Sequence, residues 1–363
     1  MDPAARMMDR SRLLALVDAL AGRAIVIAGD AIADEFIYGR IARVSREAPV
    51  LILNYDSTEL VPGGAGNAAA NVAALGAEAR LAAVTGRDET GARLVAALRQ
   101  RSVDVRGMLT PGAYRTPTKT RILAGGVHSA KQQVVRIDRA ADARVDDRAR
   151  RAFDAQVLRM LRRADGLILS DYGSGLVTPS LVRAARLRLR RRPSARALSG
   201  RPDAHDAPVV VDSRYGLLHF RGMTACTPNE SEVEQALGIA IGDNVKALER
   251  AGRELLRRTR AAAVLVTRGS RGMALFERGR APIHIPIVGS DQIADVTGAG
   301  DTVIAVVTLA LSAGATAEEA AQLANHAGAI VVMKRGTAIV TAAELRASIQ
   351  SAGGAGGRTL RAR

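Results

Sequence analysis

Short apolar runs ending in a small or polar residue alternate with longer stretches in which apolar residues recur every three or four positions. The runs at 24–28, 80–84, 166–170, 208–212 and 262–267 predict buried strands. The periodic stretches at 68–75, 91–100, 148–163, 178–190, 231–237, 244–258, 301–311 and 317–333 predict amphipathic or buried helices. Strand, polar terminus and helix in repeated order predict a doubly wound α/β sheet flanked by helices, with ligands at the carboxyl edge of its strands. Asp30, Asp171, Asp212 and Thr267 then face one crevice.

Two segments break this rhythm. Residues 48–55 read as a strand with no helix after it, and 116–138 alternate apolar and polar on both sides of Gly125-Gly126, which predicts a hairpin. Both suit a small β lid over the crevice, with inserts at about 37–56 and 113–138 of one domain running 20–350. Residues 1–19 read as an N-terminal helix or extension, 191–207 as a surface loop and the Gly- and Arg-rich 351–363 as a flexible tail.

Composition narrows the class. With 363 residues, 48% of them hydrophobic, and no Trp, the core must be built from Ala, Val, Leu and Ile. Cys226 is the single cysteine, which excludes an internal disulfide and argues against a thiolate metal site. Asp2, Asp9 and Asp18 interrupt the start of the chain, so no signal peptide is expected. No apolar run reaches the roughly 18 residues of a membrane span, so a cytoplasmic protein without a membrane partner is expected. The net charge of +16 comes almost wholly from arginine, with only Lys119, Lys131, Lys246 and Lys334 adding to it. The densest cluster, 183–201, has neither aromatic nor acidic residues. Nucleic-acid binding would want a basic stripe interleaved with aromatics, so a solvated helix end and loop, or an anion contact, reads better.

The strongest local signal is Asp295-Val-Thr-Gly-Ala-Gly-Asp301 ahead of an apolar helix. Small residues at Gly298, Ala299 and Gly300 let an anion approach unpaired amides at a helix start, and Asp301 beside them suits a general base. A plain helix cap would use the same residues. The second signal, Val61-Pro-Gly-Gly-Ala-Gly-Asn67, offers backbone at Gly63 and Gly64 and the Asn67 amide to sugar hydroxyls. A Walker A loop is excluded because no lysine follows a glycine.

Together these two segments resemble the paired signatures of the PfkB, or ribokinase-like, carbohydrate kinases. Asn229-Glu-Ser-Glu232 resembles that family's magnesium- and phosphate-organising N-x-x-E, and Thr267-Arg-Gly-Ser-Arg-Gly272 its nucleotide-binding turn. The resemblance implies a ribokinase-like fold, Asp301 as catalytic base, and Gly298, Ala299 and Gly300 as anion hole. It assigns Asn229 and Glu232 to the metal, Thr267, Gly269, Gly272, Asn229 and Asn325 to the nucleotide, and Asp34, Gly63, Gly64 and Asn67 to the sugar. Implied cofactors are ATP and Mg2+, with room for K+. The implied partners are a sugar phosphate and a second copy of the chain, not nucleic acid.

Asp34-Glu-Phe-Ile-Tyr-Gly39, Arg43-Val-Ser-Arg-Glu-Ala-Pro49, Ser170-Asp-Tyr-Gly-Ser-Gly175 and Lys334-Arg-Gly-Thr337 are similar to the bacterial kinases of D-glycero-D-manno-heptose 7-phosphate. That likeness implies phosphorylation of the C1 hydroxyl for lipopolysaccharide inner-core synthesis. With no H-x-G-H in the sequence, the kinase alone is expected. Ser174 departs from the lysine common in such kinases. Lys119, Arg121 and Arg136 alternate along the expected hairpin and suit a remote phosphate, with Asp171 a further substrate contact. A kinase of another sugar or sugar phosphate fits the same residues, and a non-catalytic nucleic-acid-binding or regulatory protein is a remote alternative.

Overall fold

The computed structural model describes residues 9–112, 114–125, 131–139, 145–190, 206–289 and 295–352. The tip of the expected hairpin, most of the arginine-rich 183–201 cluster and 191–207 loop, and nearly all of the tail lie outside these residues.

The chain enters through α1 (Arg10–Leu20), capped by the Asp9 side chain, which buries Leu13, Leu16, Val17 and Leu20. It then forms β1 (Ala24–Gly29), passes Asp30 and continues at once as β2 (Ala31–Val44), which returns as β3 (Leu51–Gly64) into α2 (Ala65–Ala74). Next come β4 (Glu78–Ala82), α3 (Glu89–Gln100) and the pair β5 (Thr118–Gly125) and β6 (Gln132–Arg139). The series α4 (Asp147–Met160), β7 (Gly166–Asp171), α5 (Pro179–Arg190) and β8 (Val209–Ser213) follows. After it come β9 (Ala225–Cys226), α6 (Glu230–Leu237), α7 (Val245–Thr259) and β10 (Ala263–Thr267). The chain closes with β11 (Met273–Glu277), β12 (Ile283–Ile285), α8 (Ala299–Ser312), α9 (Ala317–Val332) and α10 (Ala342–Ser351).

The central sheet has the order β12-β11-β10-β9-β8-β7-β1-β4. It is parallel from β4 to β10, whereas β10–β11 and β11–β12 are antiparallel. Successive residues of β1 feed opposite cores: Ile25 and Ile27 pack with α1, α2, α3 and α8 to α10, Val26 and Ala28 with α4, α5 and α7. α8 carries the apolar run Thr302–Leu309 and is buried almost all round. This burial fixes the helix whose first turn forms the site.

The lid is a second sheet, β3-β2-β5-β6. Its β2–β3 pair is longer than the 37–56 insert expected, reaching from Ala31↔Gly64 at the central sheet to Val44↔Leu51 at the tip. Burial along β2 falls from its inner to its outer end, so the strand starts as core and finishes as lid. The lid is therefore continuous with the central sheet through the inner ends of β2 and β3.

Candidate active site

Asp301 opens the first turn of α8, just after Gly298, whose φ of 79° lies in the left-handed region. A Cβ at Gly298 would fall 2.6 Å from the Asn67 side-chain nitrogen, so glycine permits both the backbone turn and the approach of Asn67. Asn67 donates to Asp301 Oδ2 at 3.0 Å and to the Gly298 carbonyl at 3.2 Å. The Tyr172 hydroxyl donates to Asp301 Oδ1 at 3.1 Å. Asp301 is only 3% exposed. Burial raises its carboxyl to about 7, against the two hydrogen bonds, which favour the charged form. A carboxylate poised near neutrality suits a general base.

Around Asp301 the helix start offers donors. The Ala299 N–H bonds the Val296 carbonyl at 3.2 Å, and Thr302 N–H begins the helix ladder on Gly298 at 3.2 Å. The amides of Gly300 and Asp301 fall in the first turn, where the helix itself supplies no acceptor. Gly300 and Asp301 line a cleft of about 420 Å³ with Gly298 and Ala299. Of the expected hole, Gly300 is thus better placed than Ala299 to meet an anion.

The same cleft is lined by Thr267, Gly269, Gly272 and Asn325 with apolar Met273, Ile287 and Val332. Gly272 has a φ of 75°, and a Cβ there would meet the Ile285 carbonyl at 2.1 Å. Asn325 is tied to the cleft wall by donating to the Pro286 carbonyl at 2.7 Å. Thr267 pairs alongside Asn229 at the strand ends. An apolar slot edged by backbone and a few polar groups matches a flat heterocycle.

Asn229 and Glu232 line this cleft as well. They form a reciprocal capping box on α6, each side chain accepting the other's backbone N–H at 2.9 Å. Capping and ligand binding use the same atoms here, and both residues line the cleft. Asp212 stands beside them. Its enclosure, then the charges of Glu232, Asp301 and Asp171, push its carboxyl well above the usual range. Burial likewise raises Glu232. The Thr227 hydroxyl in the same wall is buried without a partner. Crowded carboxylates beside an orphaned hydroxyl fit a divalent cation. No cluster of three or more His, Cys, Asp or Glu among the described residues makes a protein cage.

The lid side is different from expectation in detail. Asp34 accepts from Arg121 at 2.6 Å and from the Thr337 hydroxyl at 3.1 Å. A Cβ on Gly63 would lie 2.3 Å from Asp34 Oδ2, and Gly64, with φ 56°, makes the turn into α2. Arg121 also stacks over Phe36 at 5.3 Å, so its guanidinium is already engaged. Lys119 sits 5.3 Å over the Tyr172 ring, and burial pulls its ammonium down. Arg136 is opposite Arg121 in the ladder, but its side chain is 51% exposed and paired with Asp138. Asp171 accepts from the Ser213 hydroxyl at 2.6 Å and from Gly173 N–H at 3.1 Å, and it is not among the residues lining this cleft. Its geometry is that of a turn anchor.

Four residues of the site had no assigned role in the sequence reading: Tyr172, Asp212, Arg214 and Thr337. Tyr172 is held by Asp30, which accepts its N–H at 2.6 Å and also bonds the Ser174 hydroxyl. Ser174 therefore anchors the turn that presents Tyr172, rather than reaching out as a lysine would. The only signal for Asp212 and Arg214 was their place at a strand end.

The sequence pattern of the pfkB family carbohydrate kinases matches residues 31–343. The chain belongs to this family. It is an ATP-dependent carbohydrate kinase with a ribokinase-like fold. The chain is similar to the bifunctional protein HldE of Caulobacter vibrioides, 39% identical over 339 residues that cover 93% of this chain and 65% of that protein. It is similar to HldE of Citrifermentans bemidjiense, 39% identical across 90% of this chain and 63% of that one. The chain thus spans just under two thirds of the length of these curated relatives. Arabidopsis thaliana ribokinase, solved with ribose and ATP, superposes with a TM-score of 0.65 at 20% identity, covering 91% of this chain and 98% of its own. Escherichia coli phosphofructokinase-2 with potassium gives 0.69 at 19% identity, covering 92% and 99%. Among the described residues no helix is long and apolar enough to cross a membrane.

Proposed function

We propose that this kinase transfers the γ-phosphoryl group of ATP to the C1 hydroxyl of D-glycero-D-manno-heptose 7-phosphate. The product is the 1,7-bisphosphate, a cytoplasmic precursor of ADP-heptose and of the lipopolysaccharide inner core. The observation that carries the reading is the position of Asp301 between a nucleotide-sized cleft and a lid that bears Lys119 over Tyr172. The heptose-kinase motifs and the HldE relatives support the choice of sugar.

In this reading Asp34, Asn67 and the backbone of Gly63 and Gly64 hold the sugar hydroxyls, and Asp301 accepts the proton of the attacking C1 hydroxyl. Amides at the start of α8 and the helix dipole meet the negative charge spread over the transferring group. Mg2+ held by Asp212, Glu232 and, through its amide, Asn229 would neutralise the β- and γ-phosphates. Lys119 meets the distal phosphate first. Arg121 joins it by giving up part of its pairing with Asp34, while Arg136 lies at the outer rim. A hexose phosphate kinase uses the same cations, so the test is a panel. ADP release is followed with heptose 7-phosphate, fructose 6-phosphate, ribose and fructose, and heptose 7-phosphate should give the highest specificity constant. A higher value for any other member would replace the substrate assigned here.

We also propose that the lid pairs with that of a second copy. Its outer face exposes Ile41, Val44, Leu51, Tyr55, Val135 and Ile137, an apolar area that water-facing sheets rarely leave open. Sedimentation giving a monomer at micromolar concentration would remove this part of the reading.

A further inference from the structure

Among the described residues lining the cleft, acids outnumber bases: Asp212, Glu232 and Asp301 face a single cation, Arg214. The metal proposed above would offset the charge of Asp212 and Glu232, and a protein cation adds positive charge where the phosphoryl group moves. Arg214 follows the end of β8, and its N–H is fixed to the Asp171 carbonyl at 3.0 Å. The buried Ser213–Asp171 hydrogen bond holds the residue just before it. The turn is therefore rigid, while the Arg214 side chain is exposed and has the neighbouring Tyr215 side chain as a hydrogen-bond partner.

Its neighbours locate it further. Arg214 lines the same cleft as Asp212, Glu232, Tyr172 and Asp301. Glu232 and Asp212 belong to the nucleotide side, and Asp301 to the acceptor side. Tyr172 touches the base. A cation on this shared wall is open to the space the γ-phosphoryl group must cross.

Resting on the kinase reading above, we propose that Arg214 is a further catalytic residue, whose guanidinium grips the γ-phosphoryl oxygens during transfer. The acceptor oxygen forms its new bond to phosphorus as the bond to the β–γ bridging oxygen breaks. The bridging oxygen keeps the electron pair and leaves with ADP, and the acceptor proton passes to Asp301. Arg214 takes no proton. It offers a planar fork of donors to oxygens whose charge is being redistributed.

The test uses Arg214→Gln and Arg214→Lys in the full chain, with ATP and ADP binding measured by calorimetry and turnover by ADP release. Arg214→Gln should weaken ATP roughly five- to twentyfold while ADP stays within about twofold, and should lower kcat about a hundredfold or more. Arg214→Lys, keeping the charge without the fork, should recover part of both losses. Equal weakening of ATP and ADP, or loss of ADP binding, would show that Arg214 only supports the cleft wall and overturn the proposal. So would unchanged binding and turnover. If the wild type uses none of the sugars tried, the substrate assignment fails, yet the ATP-to-ADP comparison still decides the role of Arg214.

Discussion

Asn67 and Asp301 lie 234 positions apart in the chain and are joined by a 3.0 Å hydrogen bond from the Asn67 side-chain amide. The bond ties the sugar-side glycine loop to the first turn of α8. It is backed by Asn71, which donates to Asn67 Oδ1 at 3.1 Å and accepts the Val340 N–H at 3.1 Å. The base is thus positioned by a chain of buried amides, with Tyr172 on its other oxygen.

Both donors stabilise the ionised base, so removing either should raise the pKa of Asp301 from about 7. The acidic limb of the pH dependence of kcat/KM should move to higher pH in Asn67→Ala and in Tyr172→Phe. A lost hydrogen bond to a charged group is worth about 1.5–3 kcal/mol, so activity at neutral pH should fall roughly tenfold or more and partly recover in alkali. A pH profile that drops in height without shifting would mean these residues do not tune the base.

Asp301→Asn separates catalysis from stability. The amide cannot take the proton, and loss of a general base typically costs ~10²–10⁴-fold in rate. The stability effect has the opposite sign. The folded carboxyl holds its proton up to about 7, whereas an ordinary carboxyl releases it near 3.8. Native stability is therefore progressively lost as pH rises through that window. The melting temperature of Asp301→Asn relative to wild type should rise between pH 4 and pH 8. A difference that is flat with pH would contradict the buried, proton-holding carboxyl.

The alternating rhythm of the central sheet was legible because each β1-type run is apolar on both faces and each helix apolar on one. Asp301, Asn67 and the glycines were legible because a glycine-rich helix start has few other uses. The partners were not. Arg121 read as a free phosphate ligand, yet the parallel pairing of β2 with β5 sets Phe36 opposite Arg121 and brings Asp34 within its reach. That register joins strands far apart in sequence, and no local pattern encodes it. β2 was placed only in part, through the 37–56 insert, because its inner half reads as a continuation of β1. Asn229 and Glu232 show a different limit: a capping box and a metal site want the same residues at the same spacing.

Glu232→Gln exploits that limit. Glutamine at this position keeps the capping box, so the fold of α6 should survive while the negative charge is lost. The magnesium concentration giving half-maximal turnover should rise, with the sugar KM within about twofold of wild type. An unchanged magnesium curve would leave Glu232 as a cap alone.

The central claim is that the lid recognises a phosphate remote from the reacting hydroxyl. The most direct measurement is the ratio of kcat/KM for D-glycero-D-manno-heptose 7-phosphate to that for the unphosphorylated heptose, followed by ADP release. At about 1.5–3 kcal/mol for each charge-assisted contact, two lid cations should give a ratio of roughly two to four orders of magnitude. Lys119→Ala should cut that ratio by at least about tenfold, while the exposed Arg136 should contribute little, so Arg136→Ala should leave it within about threefold. A ratio near one in the wild type, or equal ratios for wild type and Lys119→Ala, would contradict the account.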